Sequence, residues 1–322
     1  MRAIFRKELA DYFGSFRFLV LLVLVLLITA ATLYFDYKSI RTSTADTEFI
    51  FLRLFTTQPE GAPQTEGINL FSFINFFALF FIPIMGIALG FDAISGERSS
   101  GNLSRLLSQP IYRDNVIIAK FLAGLFALSL MVITSVLIIS GYGLQLIGVP
   151  PSLEEIYRLV LFVVLAIFYG AFWMGLAVLF STVFKRVSTS LMSSLGIWLF
   201  FGLFYVLLIA PAIANSLAPT ASGTLEAVVH NLELGLSIKR FSPNFLFLEA
   251  SGVLLQPPPV GSLLGAVPVV TSDLINWMIP APLSLGQTLL LVWPHLTSLL
   301  SLTIVCFAVG YVVFMRQEIR AT

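Results

Sequence analysis

Seven ionisable residues crowd into one stretch of the chain, which reads FDAISGERSSGNLSRLLSQPIYRDNVIIAK over residues 91–120. They are Asp92, Glu97, Arg98, Arg105, Arg113, Asp114 and Lys120. Charged residues make up only 11% of the whole sequence, so this density is exceptional for the chain. The pattern favours recognition over catalysis: it indicates a solvated surface that another protein could bind.

The sequence lacks the motifs of nucleotide hydrolysis and of metal chemistry. It has no G-x-x-x-x-G-K-[ST] phosphate loop, so we expect neither ATP hydrolysis nor a cofactor in this chain. Its two histidines are far apart: His230 falls in a predicted external segment, residues 215–286, and His295 in a predicted transmembrane span, residues 287–315. This separation disfavours a metal site. An intramembrane enzyme is also disfavoured, because the apolar stretches contain no cluster of His, Asp or Glu.

The elements around this stretch are long apolar runs. Hydrophobic residues make up 58% of the chain, and its mean hydropathy is +0.96. A bilayer core of about 30 Å needs about 20 helical residues. Because the runs are apolar throughout, we predict an all-α polytopic membrane protein, a single transmembrane domain over residues 1–322. Its six predicted transmembrane spans cover residues 18–34, 70–90, 121–145, 159–184, 191–214 and 287–315.

The distribution of cations predicts the orientation of the chain. Four cations precede the first span, four lie between the second and third, two follow the fourth, and two close the chain. Twelve of the 18 cations therefore fall on one side, which the positive-inside rule assigns to the cytoplasm. We expect both termini to be cytoplasmic and the first span to be an uncleaved anchor.

Two further segments flank the spans. Residues 1–16 place Ile4, Phe5, Leu9 and Tyr12 near one face, which predicts an amphipathic helix on the inner membrane surface; a basic terminus that only sets topology is the alternative. The predicted external segment, residues 215–286, is proline-rich. Within it the pair Ser242-Pro243 predicts the start of a short helix that dips into the outer leaflet. Whether this segment covers a translocation path stays open.

A two-turn helix is predicted inside residues 91–120. Asn102 is a suitable N-cap, and Pro110 ends the helix. Leu103, Leu106 and Leu107 share one face by their spacing of three and four residues. This apolar knob suits a groove on another protein, although a helix floating on the inner leaflet has the same composition.

The order of residues in this stretch resembles the signature of ABC-2 type transporter permeases. That signature holds an acidic-basic pair, Gly-Thr-Leu, Leu-Leu-Ser-x-Pro, and a later Arg and Gly-Lys. The corresponding residues here are Glu97, Arg98, Gly101, Leu103, Leu106, Leu107, Ser108, Pro110, Arg113 and Lys120. Asn102 replaces the usual threonine and Ala119 the usual glycine. The opening KEL, the Ser242-Pro243 pair and the ending FMRQEIR extend the resemblance over the chain.

The resemblance implies the permease subunit of an ATP-driven exporter in the plasma membrane of a bacterium or archaeon. Such a subunit dimerises and receives two separate ATP-binding subunits, which carry ATP and Mg²⁺, while the protein itself contacts lipids and no nucleic acid. The residues that would couple to the ATPase are Glu97, Arg98, Gly101, Leu103, Arg105, Leu106, Leu107, Pro110 and Arg113. Four residues are candidates for lining a translocation path, and their aromatic and small polar side chains suggest an amphipathic or lipid-like substrate. They are Asn75, Ser194, Trp198 and Tyr205. A non-transporting membrane scaffold and, less favoured because ionisable groups are scarce in the spans, a secondary transporter remain alternatives.

Overall fold

The computed structural model describes residues 2–43, 49–55, 76–101, 112–148, 150–219, 224–255 and 283–317. Within these ranges all regular structure is helical, so the predicted all-α fold class is confirmed. The helices are α1 (Arg2–Gly14), α2 (Phe16–Ser43), α3 (Ile50–Arg53), π1 (Phe77–Phe81), α4 (Ile82–Gly90), α5 (Ser95–Ser99), α6 (Arg113–Ile147), α7 (Leu153–Val183), α8 (Val187–Leu199), π2 (Phe200–Ile209), α9 (Ala210–Leu217), α10 (Leu225–Lys239), α11 (Pro243–Leu255) and α12 (Leu285–Arg316).

Five helical stretches among the described residues are long and apolar enough to cross a membrane. They are Leu79–Ser99, Arg113–Gln145, Leu153–Val183, Val187–Leu217 and Leu285–Arg316. A sixth candidate joins α1 to the first part of α2, Phe16–Leu27, across a bend of 61°. Helix α2 contains the predicted first span, residues 18–34. The chain is therefore a multi-pass membrane protein with up to six candidate spans in its described part.

Helix α7 occupies the centre of the molecule, where it packs against α4, α6, α8, α11 and α12. Two glycines bring α4 against it. A Cβ atom added at Gly86 would lie 2.7 Å from the Gly170 carbonyl oxygen, and one added at Gly90 would lie 2.7 Å from that of Met174. Small residues four apart allow this approach of two membrane helices.

Local capping sequences set the starts of two helices. The Ser152 hydroxyl accepts the Glu155 amide and the Glu155 carboxylate accepts the Ser152 amide, which forms a capping box at the start of α7. At α11 the Ser242 hydroxyl accepts the Phe245 amide, and Pro243 is the first helical residue. The predicted helix start at Ser242-Pro243 is confirmed.

Candidate functional site

A buried ammonium group lies where three helices meet, at the end of the molecule that carries α5. The Lys120 Nζ on α6 is 2.8 Å from the Glu8 Oε2 on α1 and 2.8 Å from the Glu97 Oε1 on α5. The exposed fractions of the three side chains are 6%, 7% and 17%. Charges this deeply buried require partners, so these ion pairs fix α1 and α5 against the start of α6.

The charges in this triad do not balance, because two carboxylates share one ammonium. The Glu8 Oε1 and Glu97 Oε2 atoms are buried and have no hydrogen-bond partner among the described residues. The Lys7 Nζ approaches the Glu8 Oε1 to 3.6 Å, but its side chain is 54% exposed and is held weakly. Lys120 is consequently the group on which both buried carboxylates depend.

A second set of contacts ties the bend between α1 and α2 to the end of α4. The Tyr12 hydroxyl donates to the Leu89 carbonyl oxygen at 2.9 Å. Arg17 pairs with Asp92, and its guanidinium carbon lies 5.5 Å from the centre of the Phe91 ring. A half-open cavity of about 490 Å³ lies between these segments, with Glu8, Tyr12, Arg17, Asp92, Glu97 and Lys120 among its lining residues.

The start of α5 is held by a hydroxyl group of α7. The Ser181 Oγ lies 2.9 Å from the backbone nitrogens of both Ile94 and Ser95, and it accepts from both. The first amides of a helix have no partner within the helix, so Ser181 satisfies groups that would otherwise be buried unpaired. From α8, the Ser190 hydroxyl donates to the Phe91 carbonyl oxygen at 2.7 Å. Residues 91–95 are therefore fixed from two neighbouring helices.

Gln317, directly after α12, collects three more contacts. Its Oε1 accepts from the Arg98 guanidinium, and its carbonyl oxygen accepts from Arg113 Nη1 at 3.2 Å. Its Nε2 donates to the Thr182 carbonyl oxygen at 2.7 Å. We call the whole assembly the polar junction. It comprises Glu8, Arg17, Asp92, Glu97, Arg98, Arg113, Lys120, Ser181 and Gln317.

The structure brings together three of the predicted coupling residues. Glu97, Arg98 and Arg113 belong to the polar junction, and Gly101 lies beside it with a positive φ of 74°, a conformation that favours glycine. Ala119, the departure from the Gly-Lys pattern, is fully buried. The remaining predicted coupling residues lie outside the described residues. They are Leu103, Arg105, Leu106, Leu107 and Pro110.

Sequence reasoning missed Glu8 and Gln317 as individual members of the junction. Both stand in segments that carried the resemblance, KEL and FMRQEIR. Glu8 also follows Phe5 by three residues and precedes Tyr12 by four, so it shares their helix face. An acidic residue on that otherwise apolar face was the available signal. It is in fact the only described residue of α1 that is classed as buried.

The profile of the family described as ABC-2 family transporter protein matches residues 2–319. The chain belongs to this family. Its members are membrane subunits of ABC transport systems, so membership implies an associated ATP-binding subunit. The resemblance read from residues 91–120 is thereby confirmed at the level of the family.

Two similar proteins are both described as a probable ABC transporter permease protein NosY. The protein from Pseudomonas aeruginosa is 30% identical to this ABC-2 permease over 140 residues, and the one from Stutzerimonas stutzeri is 25% identical over 130 residues. Each match covers 38% of the present chain and 45% of the relative. The matched region thus spans less than half the length of either relative.

The predicted path residues of the permease use their polar atoms within the protein. The Ser194 hydroxyl donates to the Ser190 carbonyl oxygen at 2.8 Å, as is common inside helices. The Trp198 indole nitrogen donates to Leu79 at 2.8 Å, and the Tyr205 hydroxyl donates to Ile238 at 2.9 Å, both to carbonyl oxygens. Trp198 lies in α8 and Tyr205 in π2, both within the candidate span Val187–Leu217. Asn75 lies outside the described residues.

The opposite end of the permease holds a buried arginine that the apolar spans did not predict. Arg158 is fully buried, and it donates to Glu154, to the Thr288 hydroxyl and to the carbonyl oxygens of Leu254 and Leu283. These contacts join the start of α7 to the end of α11 and the start of α12. Arg158 therefore anchors this end much as Lys120 anchors the other.

A second charged group at that end connects α11 to α12. The Glu249 carboxylate accepts from Arg240, with its Oε1 2.6 Å from Nη2, and lies 2.8 Å from the His295 Nε2. Burial alone would raise the pKa of Glu249, but the hydrogen bonds from Arg240 and His295 and their charges lower it to about 2. Glu249 is thus ionised at neutral pH. His295 is held between this carboxylate and the Leu291 carbonyl oxygen, which lies 3.0 Å from its Nδ1.

Proposed function

We propose that the chain is the permease subunit of an ATP-driven exporter and that residues 91–120 receive the ATP-binding subunit. The observation that carries this proposal is the polar junction. Glu97, Arg98 and Arg113 flank residues 102–111. Glu97 pairs with Lys120 on α6, which also pairs with Glu8 on α1, and both arginines donate to Gln317, which bonds to the end of α7. A force applied between Arg98 and Arg113 would act on all of these helices at once.

The charge distribution supports a cytoplasmic location for this junction. Its end of the molecule also carries α1, with its three cations, and the Lys185-Arg186 pair after α7. An ATP-binding subunit has access to ATP and Mg²⁺ only from the cytoplasm. We therefore assign both termini to that side of the plasma membrane, with the segment from residue 215 to residue 286 outside.

The working assembly in this proposal has two permease chains and two ATP-binding subunits. Nucleotide-driven closure of the ATPase pair pushes on the apolar knob formed by Leu103, Leu106 and Leu107, and the path opens between the two permeases. Ser194 and Trp198 are buried within the chain, so among the described candidates Tyr205, which is half-buried, is the one that can offer ring surface to a path.

Substitution of the knob tests the proposal directly. The permease carrying Leu106→Asp and Leu107→Asp is expressed with the ATP-binding subunit of its own system and purified through a tag on the permease. We expect loss of the ATPase from the purified complex, because two carboxylates cannot enter an apolar groove without losing their hydration. Recovery of the permease–ATPase complex at the wild-type level, with unchanged ATP hydrolysis, would refute the proposal.

A matched control places the same two charges at the other end of the molecule. Leu153 and Leu217 are exposed, by 74% and 65%, at the start of α7 and the end of α9. The pair Leu153→Asp and Leu217→Asp should retain the ATPase. If the wild-type complex assembles but hydrogen exchange at residues 91–101 does not respond to ATP with vanadate, the non-transporting scaffold is the better description.

A further inference from the structure

Gln317 joins the two sides of the predicted coupling segment to the rest of the molecule. Arg98 precedes residues 102–111 and Arg113 follows them, yet both guanidinium groups donate to oxygens of this one residue. The two contacts use different atoms, the side-chain Oε1 and the backbone carbonyl oxygen. Any displacement that Arg98 and Arg113 undergo together is therefore applied to Gln317.

The third contact passes that displacement on to α7. Thr182 is the second-last residue of α7, so its carbonyl oxygen lies in the final turn. Carbonyl oxygens there receive no hydrogen bond from an amide of the same helix. The Gln317 Nε2 satisfies this oxygen at 2.7 Å. Gln317 itself follows Arg316, the last residue of α12. One residue thus connects the arginines to the ends of the two helices.

The side-chain chemistry of glutamine fits this position. Its amide carries an acceptor and two donors on one rigid plane, so it can accept from Arg98 and donate to Thr182 at the same time. Glutamate would keep the acceptor and lose the donor, whereas leucine would lose both. The backbone contact with Arg113 would survive either change.

We propose that Gln317 is a positioning residue that transmits movement of residues 91–101 to α12 during the nucleotide cycle. This inference rests on the proposed function, since it requires that an ATP-binding subunit moves residues 91–101. It goes beyond that function by naming α12 as a receiving helix and one side chain as the connection.

Hydrogen exchange measured by mass spectrometry tests the connection in the intact complex with its ATP-binding subunit. Peptides covering residues 91–101 and 309–317 are compared without nucleotide and after trapping with ATP, Mg²⁺ and vanadate. In the wild type we expect both peptides to change. Gln317→Leu keeps only the backbone contact with Arg113, so we expect the change at 91–101 to remain and the change at 309–317 to be smaller than in the wild type.

Two further variants separate transmission from simple loss of structure. Gln317→Glu keeps the Arg98 contact and should restore the response at 309–317. Arg316→Gln alters the neighbouring exposed side chain and should respond like the wild type. If Gln317→Leu does not assemble, Gln317→Ala removes the same two side-chain contacts, with Arg98 and with Thr182, and should give the same reduction.

The outcomes distinguish failure of this inference from failure of the proposed function. Absence of an exchange change at 91–101 in the wild-type complex overturns the proposed function, and the inference with it. A change at 91–101 without any change at 309–317 in the wild type overturns the inference alone. So does a response at 309–317 that keeps its wild-type size in Gln317→Leu or Gln317→Ala.

Discussion

Replacement of Lys120 by methionine should destabilise the protein more than loss of any single carboxylate around it. Among the described residues, Lys120 supplies the only cation within 2.8 Å of the Glu8 and Glu97 carboxylates; Lys120→Met removes it and keeps a side chain of similar length. Breaking a buried ion pair by removing one partner costs about 3–5 kcal/mol. Glu97 keeps 17% exposure and some hydration, so we expect the free energy of unfolding to fall by about 3 kcal/mol. This corresponds to roughly a hundredfold change in the unfolding equilibrium constant.

Because two carboxylates share one ammonium, loss of one carboxylate should cost less stability than loss of Lys120. Glu8→Gln leaves one ammonium facing one carboxylate, so it should cost no more than about 1 kcal/mol, the range of an ordinary hydrogen bond. For the same reason Glu8→Gln should recover part of the stability lost in Lys120→Met. Lys7→Met is the control, because the Lys7 side chain is 54% exposed and surface ion pairs contribute little.

Reversible unfolding in mixed micelles containing SDS, followed by tryptophan fluorescence, measures these differences. Equal losses for Glu8→Gln and Lys120→Met would refute the unbalanced triad, because the two carboxylates would then not depend on a shared cation. A loss below about 1 kcal/mol for Lys120→Met would refute its burial as a charged group. Additivity of the two substitutions would show that the side chains do not interact.

Two further predictions concern packing and pH. Gly86→Ala should destabilise the protein by about 1–3 kcal/mol, since the new Cβ would lie 2.7 Å from the Gly170 carbonyl oxygen, whereas Gly141→Ala meets no atom within 4 Å and serves as the control in the same unfolding assay. The contribution of Glu249, whose pKa is lowered from 4.5 to about 2, is complete above the unfolded value and is lost as the pH falls between these values, so thermal stability measured from about pH 6 to about pH 3 should fall less steeply in Glu249→Gln than in the wild type.

The fold class was predictable because its signals are local. An uncharged apolar run of about 20 residues has few alternatives to a membrane helix. The start of α11 was predictable for the same reason, since the capping serine and the following proline act within one helical turn. The approach of α4 to α7 at Gly86 and Gly90 was not predictable in this way, because small residues four apart are frequent in membrane helices.

The polar junction was predictable only in part, because its contacts join residues that are far apart in the chain. Lys120 and Glu8 are 112 residues apart, and Arg98 and Gln317 are 219 apart. No periodicity within one helix specifies such a pair. The density of charge at residues 91–120 marked the place, but the partners of those charges depend on how the helices pack.

For the same reason, neither the burial of Arg158 nor the hydrogen-bond partners of Trp198 and Tyr205 could be predicted from the sequence. Arg158 stands beside the predicted start of a span, where an arginine ordinarily reaches water. Its burial depends on carbonyl oxygens of Leu254 and Leu283, supplied by the end of α11 and the residue pair before α12. An aromatic residue in a span predicts neither its hydrogen-bond partner nor whether its ring faces a path.

Helices α7 and α12 are held together at both ends, and this restricts how they can move. At one end Gln317 bonds to Thr182; at the other, Arg158 on α7 donates to Thr288 on α12 at 3.1 Å. The two helices pack along their length between these contacts. A movement that separated them would break a partly buried hydrogen bond at the Gln317 end and a buried one at the Arg158 end, where an unpaired buried group costs about 1–3 kcal/mol. Movement of α7 and α12 as one pair breaks neither bond, so it is the motion that the contacts at both ends favour.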